Sequence, residues 1–294
     1  MAGAVALSGF QERFFQASAV SIHFAEGPQN GAPLVLLHGL ARDWKSFSAI
    51  LPELSSRFHV FAIDLRGHGK SSHSPRGYRI TQFAQDVSEF IATMLPNGTT
   101  VFGYSLGAMV GPSVAARETC GVKVLIVGDT MITPGKFETS MYSPLFRQLH
   151  ALMELGGSQE ELARGIGKIS LEVPGIPELL HIEELPGNDQ ATLSEWAHSA
   201  MLADPEAVAM TVEGAAFSDW HADDILPRIS CPTLLLQGKP DLGALLSDED
   251  VDVARLLLPR VECIKFPLLG HALFMQQPAP VLRAVTNFLQ KAEN

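Results

Sequence analysis

An α/β fold, with a mostly parallel sheet flanked by helices and a helical segment inserted into it, is predicted by three observations. Short, nearly continuous apolar runs alternate with segments of helical spacing along most of the chain, as strands covered on both faces require. A Gly-x-Ser-x-Gly turn, Gly103-Tyr104-Ser105-Leu106-Gly107, stands where one such run passes into a helical segment. Between Met131 and about His221 the strand rhythm stops, and helical segments separated by Gly and Pro replace it.

The elements follow in order. Residues 14–25 are apolar and in places β-branched and predict an opening hairpin, closed by Gly27-Pro28-Gln29-Asn30-Gly31. Parallel strands are expected at 34–37, 60–63, 101–102, 122–127, 233–236 and 261–266, with helices at 81–94 and 248–258. In the helical insert, Ser158-Gln159-Glu160-Glu161 fits a capping box, and Asp204-Pro205-Glu206 places an N-cap before a proline at the first helical position. Residues 173–177, Val-Pro-Gly-Ile-Pro, are expected to break the helices. Residues 1–130 and 222–294 are therefore assigned to one core domain and 131–221 to a cap inserted in it. A chain of 294 residues, 46% of them hydrophobic, can bury one large core.

Composition excludes several classes of partner. A formal net charge of −11 without a polybasic patch disfavours nucleic acid and anionic membrane surfaces. Cys120, Cys231 and Cys263 are too scattered for a disulfide framework and read as reduced core thiols. His150, His181, His198 and His221 lack metal-ligand spacing. Residues 1–10 have no positively charged start, and no apolar run approaches a membrane span, so the cytoplasm is the expected compartment. A monomer and a homodimer are equally compatible with this composition.

Four elements carry chemistry. At the Gly-x-Ser-x-Gly turn a sharp strand-to-helix bend leaves no room for side chains two residues to either side of Ser105 and exposes its hydroxyl. The N–H of Leu106 would face the oxygen of a tetrahedral intermediate. His38-Gly39-Leu40 ends the strand at 34–37, and the N–H of Leu40 is the candidate second donor. Asp64-Leu65-Arg66-Gly67-His68-Gly69 reads as a tight loop in which Arg66 and His68 are scaffold. His271, after the strand at 261–266, supplies a general base late in the chain. Pro112, seven residues after Ser105, should remove a hydrogen bond from the helix that follows the turn and bend it.

With these elements in this order, the chain resembles the α/β-hydrolase superfamily from about residue 21 to residue 288, and within it the serine esterase and hydrolase branch with a helical cap. Relatives that open epoxides or displace halide carry Asp at the centre of the turn, and Ser105 argues against both chemistries. The resemblance implies a triad whose acid follows a late strand. Asp129, after the strand at 122–127, and Asp241, after the strand at 233–236, are the two candidates. The position of Asp241 is the commoner one in the superfamily. The Gly238–Gly243 turn nevertheless resembles relatives whose acid follows the preceding strand, which places Asp129 marginally ahead.

The chemistry so implied is acyl transfer to water through Ser105 and His271, requiring no metal or organic cofactor. Met131, Met141, Met153, Met201 and Met210, with Phe137, Phe146, Trp196, Phe217 and Trp220, fall in the insert and suggest a deformable apolar wall. Trp44 and Tyr104, with Met131 and Trp196, are the candidate substrate contacts, and Arg42 and Asp43 are placed beside the pocket entrance. A carboxylic ester of a hydrophobic small molecule is the leading expectation. Amide, carbamate and lactone hydrolysis by the same triad, a lyase or cofactor-free oxygenase, and a ligand-binding receptor on the same fold are the alternatives.

Overall fold

The computed structural model describes residues 9–74, 77–172, 178–185 and 187–293. The expected break at 173–177 and the first eight residues of the chain lie outside the described residues. In chain order the strands are β1 (Gln11–Gln16), β2 (Ser21–Glu26), β3 (Pro33–Leu37), β4 (His59–Ile63), β5 (Thr99–Tyr104), β6 (Val122–Gly128), β7 (Ser170–Leu171), β8 (Leu180–His181), β9 (Thr233–Gln237) and β10 (Val261–Lys265). The helices are α1 (Leu51–Ser55), α2 (Ile80–Met94), α3 (Leu106–Ala115), α4 (Tyr142–Leu155), α5 (Gln159–Gly167), α6 (Gln190–Met201), α7 (Pro205–Val212), α8 (Ala222–Ile225), α9 (Asp248–Leu257), α10 (Leu273–Gln276) and α11 (Pro278–Glu293).

Eight strands form one sheet in the order β1-β2-β4-β3-β5-β6-β9-β10, parallel from β4 to β10, with the β1–β2 hairpin added antiparallel at one edge. The hairpin turns at Ala17–Val20, where the Ala17 N–H donates to the Val20 carbonyl at 3.0 Å. Gly27–Gly31 therefore serves as the link to β3 rather than the hairpin turn.

Both faces of the sheet are covered, and alternation along each strand sorts the side chains between them. Val35, Leu37, Val101, Leu125, Val127 and Leu235 join the core shared with α2, α3 and the insert. Leu34, Leu36, Phe102, Ile126, Leu234 and Leu236 join the opposite core with α1, α10 and α11. Helix α2 shows the matching helical pattern, burying Ile80, Phe83, Ala84, Val87, Phe90 and Ile91 along one stripe.

The strand order reverses at β3, which leads to β4 on one side and is joined by β5 on the other. The crevice beyond the carboxyl ends of β3 and β5 is where open α/β sheets bind ligands. Helices α4 to α7 fall between β6 and β9, and α4 and α7 bring Tyr142, Phe146 and Thr211 to this edge beside Ser105. The insert is not wholly helical, because β7 and β8 pair antiparallel in a two-residue ribbon. It is tied to the core by the Trp220 indole N–H on the Met109 carbonyl (3.1 Å), the Asp204 N–H on the Gly67 carbonyl (2.8 Å) and the Ser199 hydroxyl on the Asp43 carboxylate (3.1 Å).

Candidate active site

The strand β5 delivers the chain into Ser105, whose φ of 55° and ψ of −115° belong to neither helix nor strand, and α3 starts at the next residue. The flanking glycines are required by contact. A Cβ on Gly103 would lie 2.1 Å from the Gly107 carbonyl oxygen, and one on Gly107 would lie 2.1 Å from that of Leu37. Ala41 (φ 52°), Ser105 and Asp129 (φ 38°) are the non-glycine residues with positive φ among the described residues, and all three stand at this sheet edge. Backbone strain gathered in one place is a mark of a functional site. Helix α3 runs through Pro112 to Ala115.

His271 lies beyond β10 with Nε2 3.1 Å from the Ser105 Oγ and Nδ1 2.6 Å from the Asp129 Oδ2. Asp129 follows β6 directly, its N–H donating to the Leu236 carbonyl at 3.0 Å. Its carboxylate accepts from the backbone N–H groups of Leu245 (2.9 Å), Leu246 (3.3 Å) and Gly238 (3.4 Å). The loop after β9 thus offers its amides to Asp129. Asp241, on that same loop, is turned to solvent with its side chain 76% exposed and paired with Lys239 at 3.4 Å. The structure brings Asp129 to His271 and leaves Asp241 away from it.

Tyr104 does not line the pocket. Its ring stacks on the His271 imidazole with centroids 5.0 Å apart, and its hydroxyl donates to the His271 carbonyl at 2.7 Å. It therefore backs the histidine from the opposite core, which follows from strand alternation at the end of β5. Tyr142, which no spacing in the sequence singles out, approaches the same imidazole from the insert, with ring centroids 4.9 Å apart and its hydroxyl on the Gly243 carbonyl at 2.8 Å. Burial, reinforced by the Asp129 charge, raises the pKa of both phenols above the usual tyrosine value.

The backbone N–H groups of Leu40 and Leu106 have no hydrogen-bond partner among the described residues, and both residues line the pocket with Ser105. The Leu40 turn is set by the Gly107 N–H on the His38 carbonyl (3.0 Å) and the Leu65 N–H on the His38 ring (3.0 Å). A Cβ on Gly39 would sit 3.2 Å from that of Ser105, so the turn runs against the serine.

The pocket is walled by Met109, Thr130, Met131, Phe137, Tyr142, Phe146, Thr211, Phe217 and Leu245 around Leu40, Ser105, Leu106 and His271. Among the described residues, no Asp, Glu, Lys or Arg lines it. Its cavity volume is small, about 20 Å³. Of the expected contacts Met131 is in this wall; Trp44 and Trp196 are not. Trp44 is buried in the opposite core, stacked on Phe10 at 6.0 Å. Trp196 is buried under Arg42, whose guanidinium carbon lies 4.1 Å from the ring centre. Phe137, Phe146 and Phe217 reach the cavity, whereas Met141, Met153, Met201 and Met210 do not line it.

A strained serine after a parallel strand, an imidazole on its hydroxyl, a carboxylate on the imidazole and two free N–H groups beside it define the hydrolase class. The chain belongs to the alpha/beta hydrolase family, whose model matches residues 34–284. It is 26% identical to a 2-(acetamidomethylene)succinate hydrolase of Mesorhizobium japonicum, over 98% of this chain and 99% of that one. It is 27% identical to a pimeloyl-[acyl-carrier protein] methyl ester esterase of Nitrosomonas europaea, over 88% of this chain and 95% of the relative. Among solved structures, a thermophilic esterase from Thermogutta terrifontis superposes with a TM-score of 0.71 at 24% identity, covering 97% of this chain and all of that one, a likeness of fold. Among the described residues no helix is long and apolar enough to cross a membrane, and no group of three or more His, Cys, Asp or Glu is placed to hold a metal ion.

Proposed function

We propose that the protein is a serine hydrolase that cleaves a carboxylic ester of a hydrophobic small molecule through an acyl-enzyme on Ser105. The observation that carries this reading is the run from Asp129 through His271 to Ser105, at 2.6 and 3.1 Å, opening on a pocket with no Asp, Glu, Lys or Arg in its wall. His271 Nε2 takes the Ser105 proton as Oγ bonds to the ester carbon, and the carbonyl oxygen becomes an oxyanion facing the N–H groups of Leu40 and Leu106. Collapse of that intermediate breaks the bond to the alcohol oxygen, which leaves with the proton from His271. Water, deprotonated by the same imidazole, then repeats the sequence on the acyl-enzyme and releases the acid.

In this reading residues 131–221 act as the cap. Because the cavity is small, a substrate of any length would displace some of Met131, Phe137, Phe146 and Phe217, which line it. The ester reading is also supported by the methyl ester esterase among the relatives. A second reading, hydrolysis of an amide, is favoured by the likeness to the 2-(acetamidomethylene)succinate hydrolase over nearly the whole of both chains.

Hydrolysis of matched p-nitrophenyl esters and anilides of increasing acyl length, by wild type and Ser105→Ala, tests both. Faster turnover of medium-length apolar esters, abolished in the variant, is the expected result. Comparable rates on anilide and ester would move the assignment to a C–N hydrolase, and faster turnover of short acyl chains than of medium-length apolar ones of the same charge would overturn the apolar-pocket reading.

A further inference from the structure

Arg42 is a cation that the fold leaves without a counter-ion. It stands two residues after Leu40, partly buried between the turn and α6, with its guanidinium over the face of Trp196. Among the described residues no carboxylate lies within ion-pair distance of it and no acceptor takes its hydrogen bonds. The nearby acids are engaged elsewhere or face water. Asp43 accepts from the Lys45 N–H (2.8 Å) and the Ser199 hydroxyl (3.1 Å), and Glu195 is exposed. A ring face offsets part of the charge but accepts none of the five guanidinium N–H donors. The chain carries 32 Asp and Glu against 21 Lys and Arg, so a missing partner here is not for want of acids. Burial pushes the Arg42 pKa down to about 10, against the pull of Tyr104, Asp43 and Glu195, none of which is in ion-pair contact with it.

A second unsatisfied donor lies in the ring beneath it. The Trp196 indole N–H is buried with no hydrogen-bond partner, although Trp196 is only 7% exposed. The location ties both to the reaction. Arg42 and the Tyr104 phenol are near enough to bear on each other electrostatically, and Tyr104 carries the His271 carbonyl. Two residues of chain keep Arg42 within roughly 7 Å of Leu40, Cα to Cα. Arg42 is nevertheless absent from the wall of the apolar pocket, of which Leu40 is part.

We propose that Arg42, with the Trp196 N–H beside it, binds a carboxylate carried by the substrate on a short chain from the scissile carbonyl, on the part that does not enter the apolar pocket. The guanidinium presents paired donors in the plane a carboxylate needs, which a lysine cannot reproduce. The inference rests on the ester reading above and narrows its substrate class to amphiphilic esters with one anionic end.

Two matched substrate pairs test it, each a neutral p-nitrophenyl or alkyl ester and its counterpart with a terminal carboxylate, on the acyl chain in one pair and on the alcohol in the other. Wild type should favour the charged member of one pair, and Arg42→Gln should cut that ratio of kcat/KM at least tenfold, with Arg42→Lys between them. Equal losses on both members in both pairs, as lost packing on Trp196 would cause, overturn the proposal. Calorimetric titration of glutarate into Ser105→Ala and Ser105→Ala/Arg42→Gln reads the site without turnover, and so stands even if wild type cleaves no ester. At least tenfold weaker binding in the double variant supports the site. Equal affinity, or no binding to either, overturns it.

Discussion

Two Asp–His pairs stand on this sheet, one under the antiparallel hairpin and one at the carboxyl ends of the parallel strands. His23 Nδ1 lies 2.7 Å from Asp64, and His271 Nδ1 lies 2.6 Å from Asp129. Each carboxylate is also held by backbone N–H groups, Asp64 by those of Trp44 (2.8 Å) and Lys70 (3.0 Å), Asp129 by those of the loop after β9. The pairs differ at the second ring nitrogen. His23 Nε2 meets the Glu12 carboxylate at 2.9 Å in a side chain with no exposure, whereas His271 Nε2 meets the Ser105 hydroxyl at 3.1 Å and stays 14% exposed. An Asp–His pair is a way of fixing a ring. It becomes a proton carrier only when its far nitrogen faces a nucleophile and a cavity.

The comparison is broken or sharpened most strongly at Ser105. Ser105→Ala should lower kcat by a factor on the order of 10⁶, measured by single-turnover ester cleavage. Asp129→Asn should cost about 10⁴-fold in kcat while leaving the fold intact, because the imidazole loses the acceptor that sets its tautomer. Asp64→Asn should reverse that balance. Turnover should fall far less than in Asp129→Asn, while the urea midpoint should drop by the equivalent of about 3 kcal/mol, as buried N–H donors and the His23 ring lose their acceptor. A kcat loss as large as that of Asp129→Asn would make the two pairs functionally equivalent.

Near the buried pair, the His68 ring lies tilted against that of His38 with centroids 5.2 Å apart, and burial, with the neighbouring His38 charge, pushes its pKa down to about 3. An unfolded histidine titrates near pH 6.5. Between those values the unfolded chain binds a proton that the folded chain does not, so stability rises with pH across the window. Acidification from about pH 6.5 towards 3 should cost about 1.4 kcal/mol per pH unit for this group, and His68→Gln should flatten the slope of the urea midpoint. The smallest effect is expected at Asp241, where Asp241→Asn should leave kcat/KM within about twofold, since its carboxylate is exposed and pairs with Lys239.

Features that depend on a few adjacent residues were legible before the fold was known. The strand runs and the elbow at Ser105 are local, and the expected runs at 34–37, 60–63, 101–102, 122–127, 233–236 and 261–266 all fall on or overlap strands of the eight-stranded sheet. Side-chain facing was harder to read. Trp44 and Tyr104 lie close in sequence to site elements and Trp196 lies in the helical segment between β6 and β9, yet each turns into packing rather than into the cavity. Tyr142 lines the cavity only because α4 crosses over the His271 loop.

By itself, then, the sequence determined the turn that strains Ser105, because Gly103 and Gly107 meet backbone atoms that no Cβ could approach. It also determined the two-sided sheet, because the nearly continuous apolar runs of the central strands have to be covered on both faces. Only the tertiary structure placed Asp129, and not Asp241, against His271. Both follow parallel strands, but the amides of Gly238, Leu245 and Leu246 converge on the first and leave the second in water. Several distant donors must close around one carboxylate before it can hold a histidine, and their convergence is a property of packing rather than of spacing along the chain.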